Sequence, residues 1–413
     1  MTTPTAPGSG QAPRPVDYDG AHLRHVMGSA AAACGLHGFD ERLGLPSADI
    51  MVVVMVDGLG DELLARRSGH ARFLARSRRS DGSSTVLDAA VPTTTANSLA
   101  CLGTGRTPGE HGLVGYDVYS PEHDRVVNML GGWDEDVDPH EWQPHPTVLT
   151  RAEQAGATVV TVSRPGFRTS SLTRAALWGG EFLGAEGLGA RFTAAADRIA
   201  AHRPQKPGAR RGPATPLLMY LYVDELDKAG HRWGTASSEW ADALETLDAE
   251  LQQLCEGLER RYGSRAAVVL TADHGMVDVA PEDRVDVAES PELLVGVAHT
   301  AGEPRLMQLI LGPETSPTRA ARLQHLWEDR FGDQAWIRSR DEAVEDGWFG
   351  VVEPRVRGRI GDLLIAQCGG GALFDTMRTG RGPLGMVGHH GSLTEAEREV
   401  PLLVLTGQGL DTG

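Results

Sequence analysis

The chain is poor in cysteine, in basic charge and in long apolar runs, and each shortage excludes something. Only four cysteines occur in 413 residues, at 34, 101, 255 and 368, with no CxxC pair. That spacing argues for reduced thiols in a cytoplasmic protein and against a disulfide framework. Lys and Arg total 39 against 56 Asp and Glu, a net charge of −17. No nucleic-acid-binding surface is expected from that balance, though metal ions at a site could still attract a small phosphorylated substrate. No run of about 18 apolar residues exists, so no membrane span is expected. The N-terminus, MTTPTAPGSGQAPRP, lacks an apolar core and reads as a flexible tail over residues 1–15, not as a signal peptide. There is no internal repeat.

What is present is an α/β pattern long enough for a large domain with an inserted lobe. The β-branched run at 49–56 ends in Asp57-Gly58-Leu59-Gly60 and reads as a strand buried on both faces. A helix is expected over 61–77 and another over 146–156, closed by Gly156. Further buried strands are expected at 157–162, 217–223 and 266–272. The clearest helix covers 237–262, where Trp240, Leu244, Leu247, Leu251, Leu254 and Leu258 form one apolar stripe and Gly263 ends it. Helix, glycine, then strand is the pattern of parallel βαβ units. Residues 117–146 read as a loop-rich excursion and 201–216 as a basic surface loop. From 281 the pattern shifts to a strand at 305–311, a helix at 316–331 and a strand at 335–337, an inserted cap lobe. The strand at 360–366 is expected to return to the core sheet, and 400–405 to close it. The domains are therefore a catalytic core at 16–280, a cap at 281–360 and core completion at 361–413.

The chemistry-bearing residues fall at strand ends. Asp57, Asp273 and His274 each follow a buried strand, and Asp227 and His231 lie just beyond one. His389 and His390 occupy a glycine-flanked loop. In a parallel sheet such ends share one edge, where α/β folds place ligands. Carboxylates and imidazoles gathered there are costly to bury without a cation. Mixed N/O donors suit zinc, and two sets suit a pair of ions about 3.5–4 Å apart. Thr93-Thr94-Thr95 precedes a helix over 96–102. A threonine there serves as N-cap, or as a hydroxyl beside free N–H groups that favour an anion. Each signal alone has a bland reading, such as a polar strand end, a surface turn or a cap; their joint placement favours a metal hydrolase.

The ordered motifs VDGLG (Asp57), PTTT (Thr95), Thr104-Gly105, PGEHG (108–112), DxxGH (Asp227 to His231), ADHG (272–275) and GHHG (388–391) resemble the type I phosphodiesterase/nucleotide pyrophosphatase family of the alkaline phosphatase superfamily. The resemblance spans about residues 49–406. It implies an alkaline-phosphatase-like three-layer α/β/α sandwich with a mostly parallel central sheet and a small α+β cap. It implies two divalent ions, zinc foremost. One is held by Asp227, His231 and His390, the other by Asp57, Asp273 and His274 with Thr95. Thr95, at the family's distance from Thr104-Gly105, is the implied nucleophile, and a covalent phosphothreonine-type intermediate follows. His389 and His111 are expected to pack or order their turns. One departure stands out: Tyr116 occupies the place of the family's phosphate-binding asparagine. Asn97, two residues beyond Thr95, is a candidate substitute, so Tyr116 and Asn97 are the candidate substrate-binding residues. The implied activity is hydrolysis of phosphodiester or pyrophosphate bonds in a small phosphorylated substrate, with a nucleotide among the candidates. A phosphomonoesterase or phosphonate hydrolase on the same core is the alternative, and a non-catalytic metal-binding protein the rival from another class.

Overall fold

A computed structural model describes residues 12–80, 82–131, 133–202 and 215–406. Seven strands form the central sheet, in the spatial order Ser84–Asp88, Glu399–Val404, Ala266–Ala272, Ile50–Val56, Leu217–Val223, Thr158–Ser163, Glu181–Gly184. Only Glu399–Val404 runs against the rest. The three middle strands, Ile50–Val56, Leu217–Val223 and Ala266–Ala272, are buried at every residue, as expected of parallel strands covered on both faces.

Helices cover the sheet. Ser238–Tyr262 starts at a Ser237 cap and buries all six stripe residues, Trp240 through Leu258. The helix expected over 61–77 is two helices, Asp61–Arg66 and Arg72–Arg79. The break is stabilised from a distance. Asp248, on the long helix, accepts the Phe73 and Leu74 N–H groups at 3.0 and 2.8 Å, so it restarts the helix in place of a local cap.

A second sheet of four antiparallel strands has the order Val297–Glu303, Leu306–Leu311, Leu363–Gln367, Ala335–Ser339. The strand expected to rejoin the core at 360–366 is here instead. It pairs with Leu306–Leu311 on one side and Ala335–Ser339 on the other. Its apolar run fits either sheet, and the pairing partners decide. Alternation then divides its faces. Leu364 and Ala366 join the main core, while Leu363 and Ile365 pack with Leu323, Trp327 and Phe331 in a separate small core.

Of the expected tail, residues 1–11 lie outside the described residues. Arg14 and Pro15 are held against the core: the Arg14 side chain pairs with Asp88, and Arg398 donates to both backbone carbonyls. Most of the 201–216 loop, residues 203–214, also lies outside the described residues. The 117–146 excursion contains a hairpin, Asp117–Ser120 with Arg125–Asn128, and buries Trp133 and Trp142.

Candidate active site

Strand register assembles the site. Val56 is level with Val223 on one side and Ala272 on the other. The next residues, Asp57, Asp224 and Asp273, therefore leave the sheet side by side. Asp57 N–H donates to the Val223 carbonyl at 2.8 Å, and Gly58 N–H to Asp273 Oδ1 at 3.1 Å. Gly58 needs its φ of 76°, and a Cβ there would stand 3.1 Å from the Asp227 Cα. The chain then enters the helix Glu225–Trp233, which places Asp227 and His231 four residues apart on one face.

Seven of the sequence-derived residues converge. His231 Nε2 lies 3.2 Å from Asp227 Oδ1, and His390 Nε2 lies 3.8 Å from the same oxygen. His274 Nε2 lies 3.3 Å from Asp57 Oδ1, 3.6 Å from Asp273 Oδ2 and 3.2 Å from Thr95 Oγ1. The His274 and His390 rings stack with centroids 3.6 Å apart.

Each histidine is oriented by a backbone carbonyl. Nδ1 of His231 donates to Gly388 at 2.7 Å, that of His274 to Gly275 at 2.9 Å, and that of His390 to Thr93 at 2.8 Å. A carbonyl only accepts, so Nδ1 carries the proton and the Nε2 lone pair faces the carboxylates. Asp57 Oδ1, Asp227 Oδ1 and Asp273 Oδ2 are buried without a hydrogen-bond partner. Lone pairs thus point at lone pairs in a buried place, an arrangement that a cation between them makes favourable. Two three-donor groups have ligand atoms within 4.8 Å of one another: Asp57, Asp273, His274 and Asp227, His274, His390. His274 belongs to both, and His231 stands beside the second. Burial, then the Asp273 and Asp227 charges, push the Asp57 carboxyl well above the usual range. Burial, then His274 and His231, hold His390 well below its ordinary value. Both shifts oppose charge on these side chains, as burial among like groups does, and a cation among them would act in the opposite sense.

The threonine run divides its work. Thr94 is the N-cap of the helix Thr95–Thr104 by backbone geometry, yet its side chain makes no capping bond. Thr93 Oγ1 donates to the Ser392 carbonyl at 2.8 Å and accepts Gly391 N–H at 3.0 Å, which ties the helix start to the GHHG loop. Thr95 opens the first turn and faces His274.

The remaining candidates make contacts of their own. Asn97 is wholly buried, with its amide donating to the Pro92 carbonyl at 2.8 Å. Tyr116 is 37% exposed, and its backbone N–H donates to Glu303 Oε2 at 2.9 Å. His111 is buried and accepts the Leu113 N–H at 3.1 Å, so it orders its turn. His389 donates to the Met386 carbonyl at 3.2 Å and packs on Phe374.

Sequence reasoning did not single out Tyr222, whose hydroxyl donates to Asp57 Oδ2. Its place one residue from a strand end, next to the strand carrying Asp57, was the available signal. Glu303 and Arg305, on the cap side, and Glu397, in the short helix before the central-sheet strand Glu399–Val404, had no local signal.

The fold and the Asp/His cluster at its strand ends define the class: an α/β protein with a candidate metal centre at the carboxyl edge of its central sheet. The sequence profile of the type I phosphodiesterase / nucleotide pyrophosphatase family matches residues 51–393, and the chain belongs to that family. Among relatives, it is 37% identical over 75 residues to venom phosphodiesterase 2 of Crotalus adamanteus, 18% of this chain and 9% of that protein. It is 27% identical over 229 residues to ectonucleotide pyrophosphatase/phosphodiesterase family member 3 of Bos taurus, 55% of this chain and 25% of that protein. The chain thus spans a quarter or less of the length of these relatives. Among solved structures, murine ectonucleotide pyrophosphatase / phosphodiesterase 5, an inactive form in complex with AMP, superposes with a TM-score of 0.65 at 14% identity, covering 85% of this chain and 87% of that one. Phosphonoacetate hydrolase from Sinorhizobium meliloti 1021, in complex with phosphonoformate, gives 0.64 at 20% identity, covering 87% and 90%. At these identities the two likenesses establish a common fold.

Proposed function

We propose that this hydrolase cleaves phosphodiester or pyrophosphate bonds of a small substrate, with Thr95 as nucleophile and two divalent ions at the strand ends. The observation that carries this reading is Thr95 Oγ1, 3.2 Å from His274 Nε2, at the rim of a buried cluster with three unpartnered carboxylate oxygens. Asp57, Asp273 and His274 would hold one ion, with Thr95 completing its sphere. Asp227, His231 and His390 would hold the other, and the mixed imidazole and carboxylate donors suit zinc. Bound ions supply positive charge that favours an alkoxide over a hydroxyl and offsets charge developing on phosphate oxygens.

The chain's own groups do the rest. The first-turn N–H groups of Thr95–Thr104 lack intrahelical acceptors and favour an anionic phosphoryl group beside Thr95. Thr95 Oγ forms a bond to phosphorus as the leaving oxygen departs in line. Water then cleaves the phosphothreonine ester and regenerates the hydroxyl. The carbonyls at Gly275, Thr93 and Gly388 keep the three rings from turning while this proceeds. The relative solved with AMP supports a nucleotide as one substrate. The free state of Cys34, Cys101, Cys255 and Cys368 supports a cytoplasmic setting.

A second reading, a phosphonate hydrolase or phosphomonoesterase, is favoured by two observations. Tyr116 replaces the asparagine, and the fold also matches a phosphonoacetate hydrolase. The test is hydrolysis of bis-p-nitrophenyl phosphate and p-nitrophenyl phosphate by zinc-loaded protein, with and without chelator. Diester preference abolished by chelator supports the first reading. Monoester preference supports the second, and loss of both activities with zinc bound would return the non-catalytic reading.

A further inference from the structure

One ion pair with both side chains fully buried joins the parts of the molecule built on its two largest sheets. Arg305 lies in the turn between Val297–Glu303 and Leu306–Leu311, and Glu397 lies in the short helix Glu395–Arg398 that leads back to the central sheet. Arg305 Nη2 meets Glu397 Oε2 at 2.8 Å, and Nε meets Oε1 at 3.1 Å. Nη1 donates to the Gly369 and Gly371 carbonyls at 2.6 and 2.7 Å. Burying two charges is expensive, and apolar side chains in place of such a pair often leave a protein no less stable. Stability is thus a poor account of why these charges are here.

Their contacts suggest a different one. Glu397 Oε1 also accepts the Ser392 N–H at 3.0 Å, two residues past His390. The Glu397 carbonyl accepts the Gly275 N–H at 2.8 Å, the residue after His274. One glutamate therefore grips both loops whose rings stack 3.6 Å apart in the site. The grip has no slack, because a Cβ on Gly275 would lie 1.9 Å from the Ala396 carbonyl oxygen. Ser392 is held on two further sides: its hydroxyl donates to the Gln367 carbonyl at 2.6 Å, and its carbonyl accepts Thr93 Oγ1 at 2.8 Å. Arg305 in turn locks Glu397 from the cap side. At the same hairpin tip, Glu303 packs against Gly391 and accepts the Tyr116 N–H.

We propose that Arg305 and Glu397 are a positioning pair. Anchored to the inserted sheet through Arg305, they set the spacing of His274 and His390, so the cap is part of the metal-binding apparatus and not only a cover. This rests on the reading of those histidines as metal ligands. The pair touches neither substrate nor reacting atoms, so its effect passes through the two loops.

The test is zinc chloride titration against a chromophoric chelator, with thermal unfolding in chelator, for the full chain and three variants. His390→Ala is the control for the site. Arg305→Met/Glu397→Leu removes the charges together, and Glu397→Gln keeps an acceptor for Ser392 but loses the charge that faces Arg305. The folded pair variant is expected to unfold within a few degrees of the parent in chelator yet bind zinc at least roughly tenfold more weakly, a loss typical of groups that orient ligands. Glu397→Gln is expected to fall between the two. Parent-like zinc affinity in the folded pair variant, or in Glu397→Gln should the pair variant not fold, would overturn the proposal. Failure of the parent chain itself to bind zinc, with His390→Ala indistinguishable from it, would overturn the metal-site reading and this inference with it.

Discussion

Thr95 Oγ1 lies 3.2 Å from His274 Nε2, although the two residues are 179 positions apart and belong to different segments of the fold. The hydroxyl opens a helix, and the imidazole follows a central strand. Their meeting places the proposed nucleophile beside the Asp/His cluster without making it part of the cluster's scaffold.

Thr95→Ala should therefore abolish turnover while sparing the metal. Loss of an essential nucleophile costs on the order of 10⁴- to 10⁶-fold in kcat. Zinc stoichiometry by atomic absorption should stay at the parent value, because His274, Asp57 and Asp273 keep their own backbone bonds. Residual activity near the parent level would remove Thr95 from its role.

Tyr222→Phe tests a contact found only in the structure. The phenol donates to Asp57 Oδ2, and burial beside Asp57 and Asp273 holds its own proton far above the usual range. It is a fixed donor at any ordinary pH. Its loss frees one carboxylate oxygen, and zinc affinity should drop roughly tenfold or more. Isothermal titration of the metal-free protein reads this directly.

Glu303 carries a pH signature. It is fully buried, Oε1 has no partner, and burial followed by Asp117 and Glu397 pushes its carboxyl well above the ordinary range, against the Tyr116 N–H. The folded state thus keeps a proton above about pH 4.3, where the unfolded chain releases it. Bound protons are then more numerous in the folded state, and this group's contribution to stability falls as pH rises through the raised value. Glu303→Gln mimics the protonated form. It should leave the melting temperature near parental at pH 5 and raise it at pH 8, by about 1–3 kcal/mol of stability. Equal melting curves for the two proteins at both pH values would contradict the buried, proton-holding assignment.

Gly275→Ala probes the packing of the His274 loop. The added methyl would stand 1.9 Å from the Ala396 carbonyl oxygen, so backbone must move. Overpacking of this kind costs about 1–3 kcal/mol. A chemical denaturation midpoint shift with weaker zinc binding is the expected result, and wild-type values for both would show that the loop yields freely.

Much of this protein could be read along the chain. A β-branched run ending in Asp57, an apolar run leading to Asp224 and Asp227, and a third run ending in Asp273-His274 announce buried strands with polar C-terminal ends. Such signals are local: side-chain period, glycine stops and threonine before a helix act over a few residues. The long helix at 238–262 was legible for the same reason, since its stripe and its Ser237 cap lie within it. Partnership across distance was not legible. The run at 363–367 is apolar enough for either sheet, and only its pairing with Leu306–Leu311 and Ala335–Ser339 assigns it. Asp248 restarts the interrupted helix by no local rule, from 175 positions further along the chain. Arg305 and Glu397, 92 positions apart, look in sequence like ordinary surface charges. Sequence by itself determined which side chains could do the chemistry and which strands would carry them. Tertiary structure alone decided how those side chains are held, because a hydrogen bond or ion pair has no preference for neighbours in the chain and is settled only when the core has packed.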